Sequence, residues 1–172
     1  AGALLSSGRA GVDLKVRIGL GFDLHRLGPG SHLILGGVEV PHGKSFIAHS
    51  DGDVLCHAVV DALLGAAGLG NIGERFPDTD PKYKGMSSLT FVTEVAGLLE
   101  QNGFRIENID SNILAERPRL LQHFPAMRKK LAAASGIPVE KISIKAKTME
   151  GLGVNGTEEA IAAEGNALVS FE

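Results

Sequence analysis

The run Ser50-Asp51-Gly52-Asp53-Val54-Leu55-Cys56-His57, continued by Ala58-Val59-Val60-Asp61-Ala62-Leu63-Leu64, constrains this chain more than any other stretch. Ser50 or Asp51 is a good helix N-cap, and the acids beside it suit the positive end of a helix dipole. The apolar residues that follow continue the helix, and Gly65 to Gly73 is expected to unwind it. Asp53, His57 and Asp61 fall at i, i+4 and i+8, one stripe of one face. A carboxylate–imidazole–carboxylate stripe in an Ala/Leu/Val helix has two readings. Either the acids serve the dipole and a buried histidine is satisfied locally, or the stripe is one wall of a metal site.

The other segments are short and separated by turns. Val16 to His25 alternates like a strand, and Asp23 and His25, two apart, leave it on the same face. Leu33 to Val40 reads as a hairpin around Gly36-Gly37. Phe76 to Pro81 is a rigid acidic turn. Ser87 to Gln101 is a second helix with a serine cap and an apolar stripe through Leu89, Val92, Ala96 and Leu99. Phe104 to Ala115 is a strand with Ile106, Asn108, Asp110, Asn112 and Leu114 on one face and Ile109, Ser111, Ile113 and Ala115 on the other. Arg117 to Leu121 is a turn, Pro125 to Ala134 a third helix, and Ile142 to Thr148 a strand. Glu159 to Phe171 is Ala-rich and reads as helix or strand. Ala1 to Gly11 is Ala/Gly/Ser-rich and reads as a tail, a tag or a transit remnant, so 1–15 is set outside a single domain at 16–172.

Composition narrows the partners. A length of 172 residues suits one domain with a real core, and 44% apolar residues suit a globular fold. A net charge of −3, no Trp and one Tyr argue against nucleic acid. Cys56 is the single cysteine, which excludes an internal disulfide. The richest apolar run, Ala58 to Leu69, is interrupted by Asp61, Gly65 and Gly68, so no membrane span is expected.

Asp23, His25 and His57 offer two imidazoles and a carboxylate. Three protein ligands with an open position is the pattern of a catalytic zinc site, and the same set suits a non-haem iron. Asp53 or Asp61 is placed to orient the His57 ring. His49, just ahead of the helix, is placed to meet an anion at its N-terminus. Lys147, Thr148 and Glu150 set a cation, a hydroxyl and a carboxylate beside glycines, a phosphate site in which Glu150 is free to hold a hard cation.

Six motifs, in order, carry a resemblance. Ile18-Gly-Leu-Gly-Phe-Asp-Leu-His25, Leu35-Gly-Gly-Val38, Ala48-His-Ser-Asp-Gly-Asp53 with His57, Asp61-Ala-Leu-Leu-Gly65, Phe76-Pro-Asp-Thr-Asp80 and Lys145-Ala-Lys-Thr-Met-Glu150 resemble the 2-C-methyl-D-erythritol 2,4-cyclodiphosphate synthase family. The resemblance spans about Val16 to Phe171. It implies an α+β subunit with a mixed sheet packed on helices, and a homotrimer whose sheets surround a central cavity and whose active sites lie between subunits. The last segment is then a strand. It further implies a lyase of the non-mevalonate isoprenoid route, which converts the 4-diphosphocytidyl derivative of methylerythritol 2-phosphate to the cyclic diphosphate and CMP.

The residue roles follow from the same resemblance. Asp23, His25 and His57 are the zinc ligands, and Glu150 serves a second metal, Mg²⁺ or Mn²⁺. His49 and Thr148 assist the transition state. Ser50, Phe76 and Asp78 lie on the methylerythritol side. Asn71 and Gly73 are at the ribose, and Ala115, Pro118, Arg119, Leu120 and Leu121, with Lys147, enclose the cytosine; Asp80 and Met149 are further substrate-binding residues. Asn71 departs from the family's usual Asp, and Lys147 and Met149 from residues that are commonly Thr. The expected compartment is the bacterial cytoplasm, or alternatively the plastid stroma. Two rivals remain: an iron oxygenase on the same triad, and a non-catalytic nucleotide- or isoprenoid-binding trimer.

Overall fold

The computed structural model describes residues 15–171. The tail proposed for 1–15 therefore lies outside the described residues, apart from Lys15, whose carbonyl already accepts from Phe171 N. β1 (Val16–Pro29) is the spine of the sheet. It pairs antiparallel with β7 (Ala160–Phe171) over eleven register pairs, from Val16↔Ser170 to Arg26↔Ala160. β7 pairs antiparallel with β5 (Phe104–Leu114), and β5 runs parallel to β6 (Ile142–Lys147). β4 (Lys44–Phe46) closes the far edge, giving the order β4-β1-β7-β5-β6. β2 (His32–Leu35) and β3 (Val38–Pro41) form the separate hairpin read from Gly36-Gly37. Both glycines have positive φ, 55° and 71°, as a type I′ turn requires.

One face of the sheet carries the helices. α1 (Val54–Ala67) crosses β1 and β7 and buries every residue but Asp61 and Gly65. It lies unusually close, because Gly19 and Gly21 on β1 and Gly165 on β7 face its backbone. A Cβ on Gly165 would stand 2.7 Å from Ala58 O. α3 (Ser88–Gln101) packs on α1, and α4 (Phe124–Ser135) packs on α3 and β6. Two one-turn helices, α2 (Ile72–Arg75) and α5 (Gly153–Gly156), complete the set. One continuous apolar core joins the sheet, α1, α3 and α4, so the fold is a single α+β domain.

Among the described residues, the β1 part of the other face is uncovered. Ile18, Leu20, Phe22 and Leu24 project from β1 there, 81%, 69%, 54% and 42% exposed.

Four local expectations are corrected. The α1 N-cap is Asp53, not Ser50 or Asp51, and its carboxylate accepts from Cys56 N. Gly65 stays helical, and α1 ends at Gly68 in the left-handed conformation. Ile106 shares the buried face with Ile109 because the β5–β7 register slips between Ile106 and Asn108. A bulge of this kind inserts a residue, so the alternation inverts across it. Along α3 the residues that reach the core are Phe91, Val92, Val95 and Leu99, with Leu89 and Ala96 only partly buried.

Candidate metal centre and its cleft

The strand places Asp23 and His25 on the helix-bearing face, and α1 brings His57 above them. Asp23 Oδ2 lies 2.6 Å from His25 Nε2 and 2.9 Å from His57 Nδ1, and the two ring nitrogens are 3.1 Å apart. Three donor atoms, two from β1 and one from α1, thus converge on one point. Burial pushes the Asp23 carboxyl up, but the hydrogen bonds with His25 and His57 outweigh it and hold the group well below the usual carboxylate range. An ionised carboxylate and two imidazole nitrogens facing one point suit a divalent borderline cation, which would take the place of the protons now shared with Asp23. Among the described residues this is the one His/Cys/Asp/Glu group with ligand spacing.

Neither acid of the α1 stripe orients His57. Asp53 is fully buried and turned the other way: its carboxylate accepts from Gly36 N at 2.9 Å, Gly37 N at 2.6 Å and Cys56 N at 3.0 Å. It fastens the hairpin to the helix start. Burial raises its pKa, against those backbone donors, which lower it. Asp61 accepts from Ile72 N at 2.7 Å and so anchors α2. The far nitrogen of the His57 ring instead meets two serines, Ser88 Oγ at 2.8 Å and Ser50 Oγ at 3.2 Å. Ser88 is absent from the residues read as functional. A serine at a helix start reads as a cap, and nothing in the linear pattern distinguishes this one.

A cleft of about 580 Å³ opens over the triad. Its walls include His49, Ser50, Gly73, Phe76 and Asp78, beside the three metal-site residues. Phe76 stacks on Phe91 with centroids 4.5 Å apart and meets Tyr83 edge-on, which makes one wall aromatic. Asn71 and Asp80 do not line the cleft; they cap short helical turns, accepting from Glu74 N and Lys82 N. The Asn71 amide also donates to Glu74 Oε1 at 2.6 Å.

The remaining candidates form a second cluster. Lys147 ends β6, opposite Leu114, and its carbonyl accepts from Ala115 N. Glu116 Oε2 accepts from Met149 N and Gly151 N, tying the loop 115–121 to the turn after β6. Thr148 Oγ1 donates to Glu150 Oε1 at 3.0 Å, and Glu150 sits in the left-handed region at φ 52°. Pro118 follows a cis peptide bond. Arg119 and Leu121 are exposed and Leu120 is buried. None of these residues lines the cleft over the triad. β1 and β6 are three strand spacings apart in the sheet order, about 14 Å.

Residues 16–170 match the model of the YgbB family. The 2-C-methyl-D-erythritol 2,4-cyclodiphosphate synthase of Thioalkalivibrio sulfidiphilus is 51% identical over 155 residues, 90% of this chain and 97% of that protein. The synthase of the same name from Clostridium perfringens is 49% identical over 154 residues, 90% of this chain and 99% of that one. Among solved structures, IspF of Plasmodium falciparum in its CDP complex matches with a TM-score of 0.81 at 32% identity, covering 92% of this chain and 97% of that one.

Proposed function

This chain belongs to the 2-C-methyl-D-erythritol 2,4-cyclodiphosphate synthase family, lyases of the non-mevalonate isoprenoid route, and from that premise we infer how its residues serve the cyclisation. In that reaction a 2-phosphate oxygen of 4-diphosphocytidyl-2-C-methyl-D-erythritol 2-phosphate bonds to the phosphorus nearer the methylerythritol. The bond from that phosphorus to the departing CMP breaks. The nucleophile is already ionised at neutral pH, so the protein need not supply a base. Positioning and charge neutralisation remain.

The observation that carries the reading is the convergence of Asp23, His25 and His57 at the floor of the cleft. These residues would hold a zinc ion, which supplies Lewis-acid polarisation of a phosphoryl oxygen when bound. His49 and Ser50 line the cleft beside the triad, within reach of an anion held there. The Phe76 and Phe91 wall offers apolar surface to the methyl-bearing carbon chain, and Asp78 accepts from its hydroxyls. Glu150 would hold Mg²⁺ or Mn²⁺, which would offset the charge of the substrate diphosphate, with Thr148 donating beside it. Lys147, Met149 and the loop 115–121 take the cytidine; that the substrate carries one is supported by the CDP named in the complex of the Plasmodium relative.

A shared site between subunits reconciles the two clusters. Within one chain they stand apart across the sheet, yet one substrate must touch both. The bare β1 face, with Ile18, Leu20, Phe22 and Leu24 exposed, is the kind of apolar surface that soluble chains cover by association. We therefore propose a homotrimer with this face inward. Both curated relatives are bacterial, which supports the bacterial cytoplasm as the compartment, with the plastid stroma as the alternative.

His57→Ala tests the metal assignment. Zinc content by elemental analysis and turnover should both fall to background while the assembly persists by light scattering. Full zinc occupancy in that variant would contradict it.

A further inference from the structure

The His57 ring has two nitrogens, and only one can face the triad with a lone pair. Nδ1 lies toward Asp23 Oδ2 and His25 Nε2, so the proton must be on Nε2 if Nδ1 is to bind a cation. Ser88 Oγ is 2.8 Å from Nε2. A serine hydroxyl can either donate to a ring nitrogen or accept from it, so proximity alone does not choose the tautomer.

Asp51 makes the choice. Its Oδ1 accepts a short hydrogen bond from Ser88 Oγ, and its Oδ2 accepts from Ser88 N at 2.9 Å. Asp51 can donate nothing when ionised, so the Ser88 hydroxyl proton is committed to it. What Ser88 Oγ has left for His57 is a lone pair, which demands Nε2–H. Ser88 is completely buried, so no water competes for either bond. Ser50 Oγ, at 3.2 Å, is the weaker neighbour and is also engaged by Gly52 N.

We propose that Asp51 and Ser88 are positioning residues, a two-residue relay that fixes the Nε2–H tautomer of His57 and so presents Nδ1 to the metal. The backbone supports the relay from both sides. Asp51 N donates to Met86 O and Gly85 N donates to His49 O, which zips the loop ahead of α1 to the start of α3. The helix that supplies Ser88 also supplies Phe91, whose ring centroid is 6.2 Å from that of His57. Ring orientation and cleft wall are therefore set by one element. This inference rests on the metal reading above.

The test is zinc affinity of the full chain, measured without substrate by competition with a chromophoric chelator. Ser88→Ala should weaken zinc about 10- to 100-fold, the range seen when partners of metal-bound histidines are removed. Ser50→Ala should weaken it less. A second measurement does not depend on the variant folding. In zinc-loaded wild-type protein, long-range ¹H–¹⁵N correlation should show His57 bound through Nδ1 with its proton on Nε2. Wild type that binds zinc, together with Ser88→Ala that binds it equally well, overturns the relay alone, and so does zinc-loaded wild type whose His57 is bound through Nε2. Wild type that binds no zinc at the triad overturns the metal reading and the relay with it.

Discussion

Gly21→Ala should damage both the fold and the metal site, because Gly21 is where β1 touches α1. A Cβ there would stand 2.7 Å from Ala62 N and 3.0 Å from Ala58 C, and closer still to Ala58 O. Ordinary contact begins at 3.4 Å, and all three atoms are helix backbone, so no rotamer change relieves the overlap. The helix must lift by roughly 1 Å, an overpacking that costs about 1–3 kcal/mol or somewhat more. His57 rides on that helix and Asp23 lies two residues along the same strand. Their 2.9 Å approach would open beyond hydrogen-bond reach. Urea unfolding should show the lost stability, and chelator competition should show zinc held at least about tenfold less tightly. Gly65→Ala is the matched control. Gly65 lies inside α1, and a methyl added there would meet nothing within 4 Å, so alanine should stabilise by about 0.5–1 kcal/mol. If Gly21→Ala unfolds within about 0.5 kcal/mol of wild type and binds zinc normally, the close-approach reasoning is wrong.

Asp53→Ala should cost about 3–5 kcal/mol, since it strips the buried donors Gly36 N, Gly37 N and Cys56 N of their acceptor; thermal unfolding that is unchanged would refute the hairpin-to-helix tie. Glu107 gives a pH signature away from the site. The Ser170 hydroxyl, Arg105 and Lys141 hold its pKa down at about 2, against an ordinary 4.5. A depressed folded pKa stabilises above the unfolded value and is lost as pH falls, here from about 4.5 toward 2. Glu107→Gln should therefore be less stable than wild type at pH 7, with the gap shrinking below about pH 4.5 and closing as pH falls through about 2; a gap constant across that range in urea melts would refute the assignment.

The triad was legible in the sequence for a simple reason. Residues two apart on a strand share a face, so Asp23 and His25 had to emerge together, and His57 was the histidine on the buried helix. The misses have physical causes. Asp53 looked like part of a helical stripe, but a carboxylate at the helix start can turn back to cap, and here it also grips the hairpin. The bulge beside Glu107 leaves no periodic trace, because it is a break in the period. The alanines of β7 allow helix or strand by propensity, and they serve a strand: α1 presses so near that the residues beneath it, Ala163 and Gly165, must be small. Ser88 was invisible because its role depends on Asp51, 37 residues away. The separation of the two clusters is equally unreadable from spacing, since it follows from the strand order.

The most direct test of the cyclisation at this triad is ³¹P NMR of the full chain incubated with the cytidylated substrate, zinc and Mg²⁺. The expected result is loss of the diphosphodiester signals, growth of the two coupled resonances of a cyclic diphosphate, and release of CMP in equal amount. All of these should be abolished in His57→Ala. Substrate left intact by the metal-loaded wild-type protein, or the same cyclic product formed by His57→Ala, would contradict it.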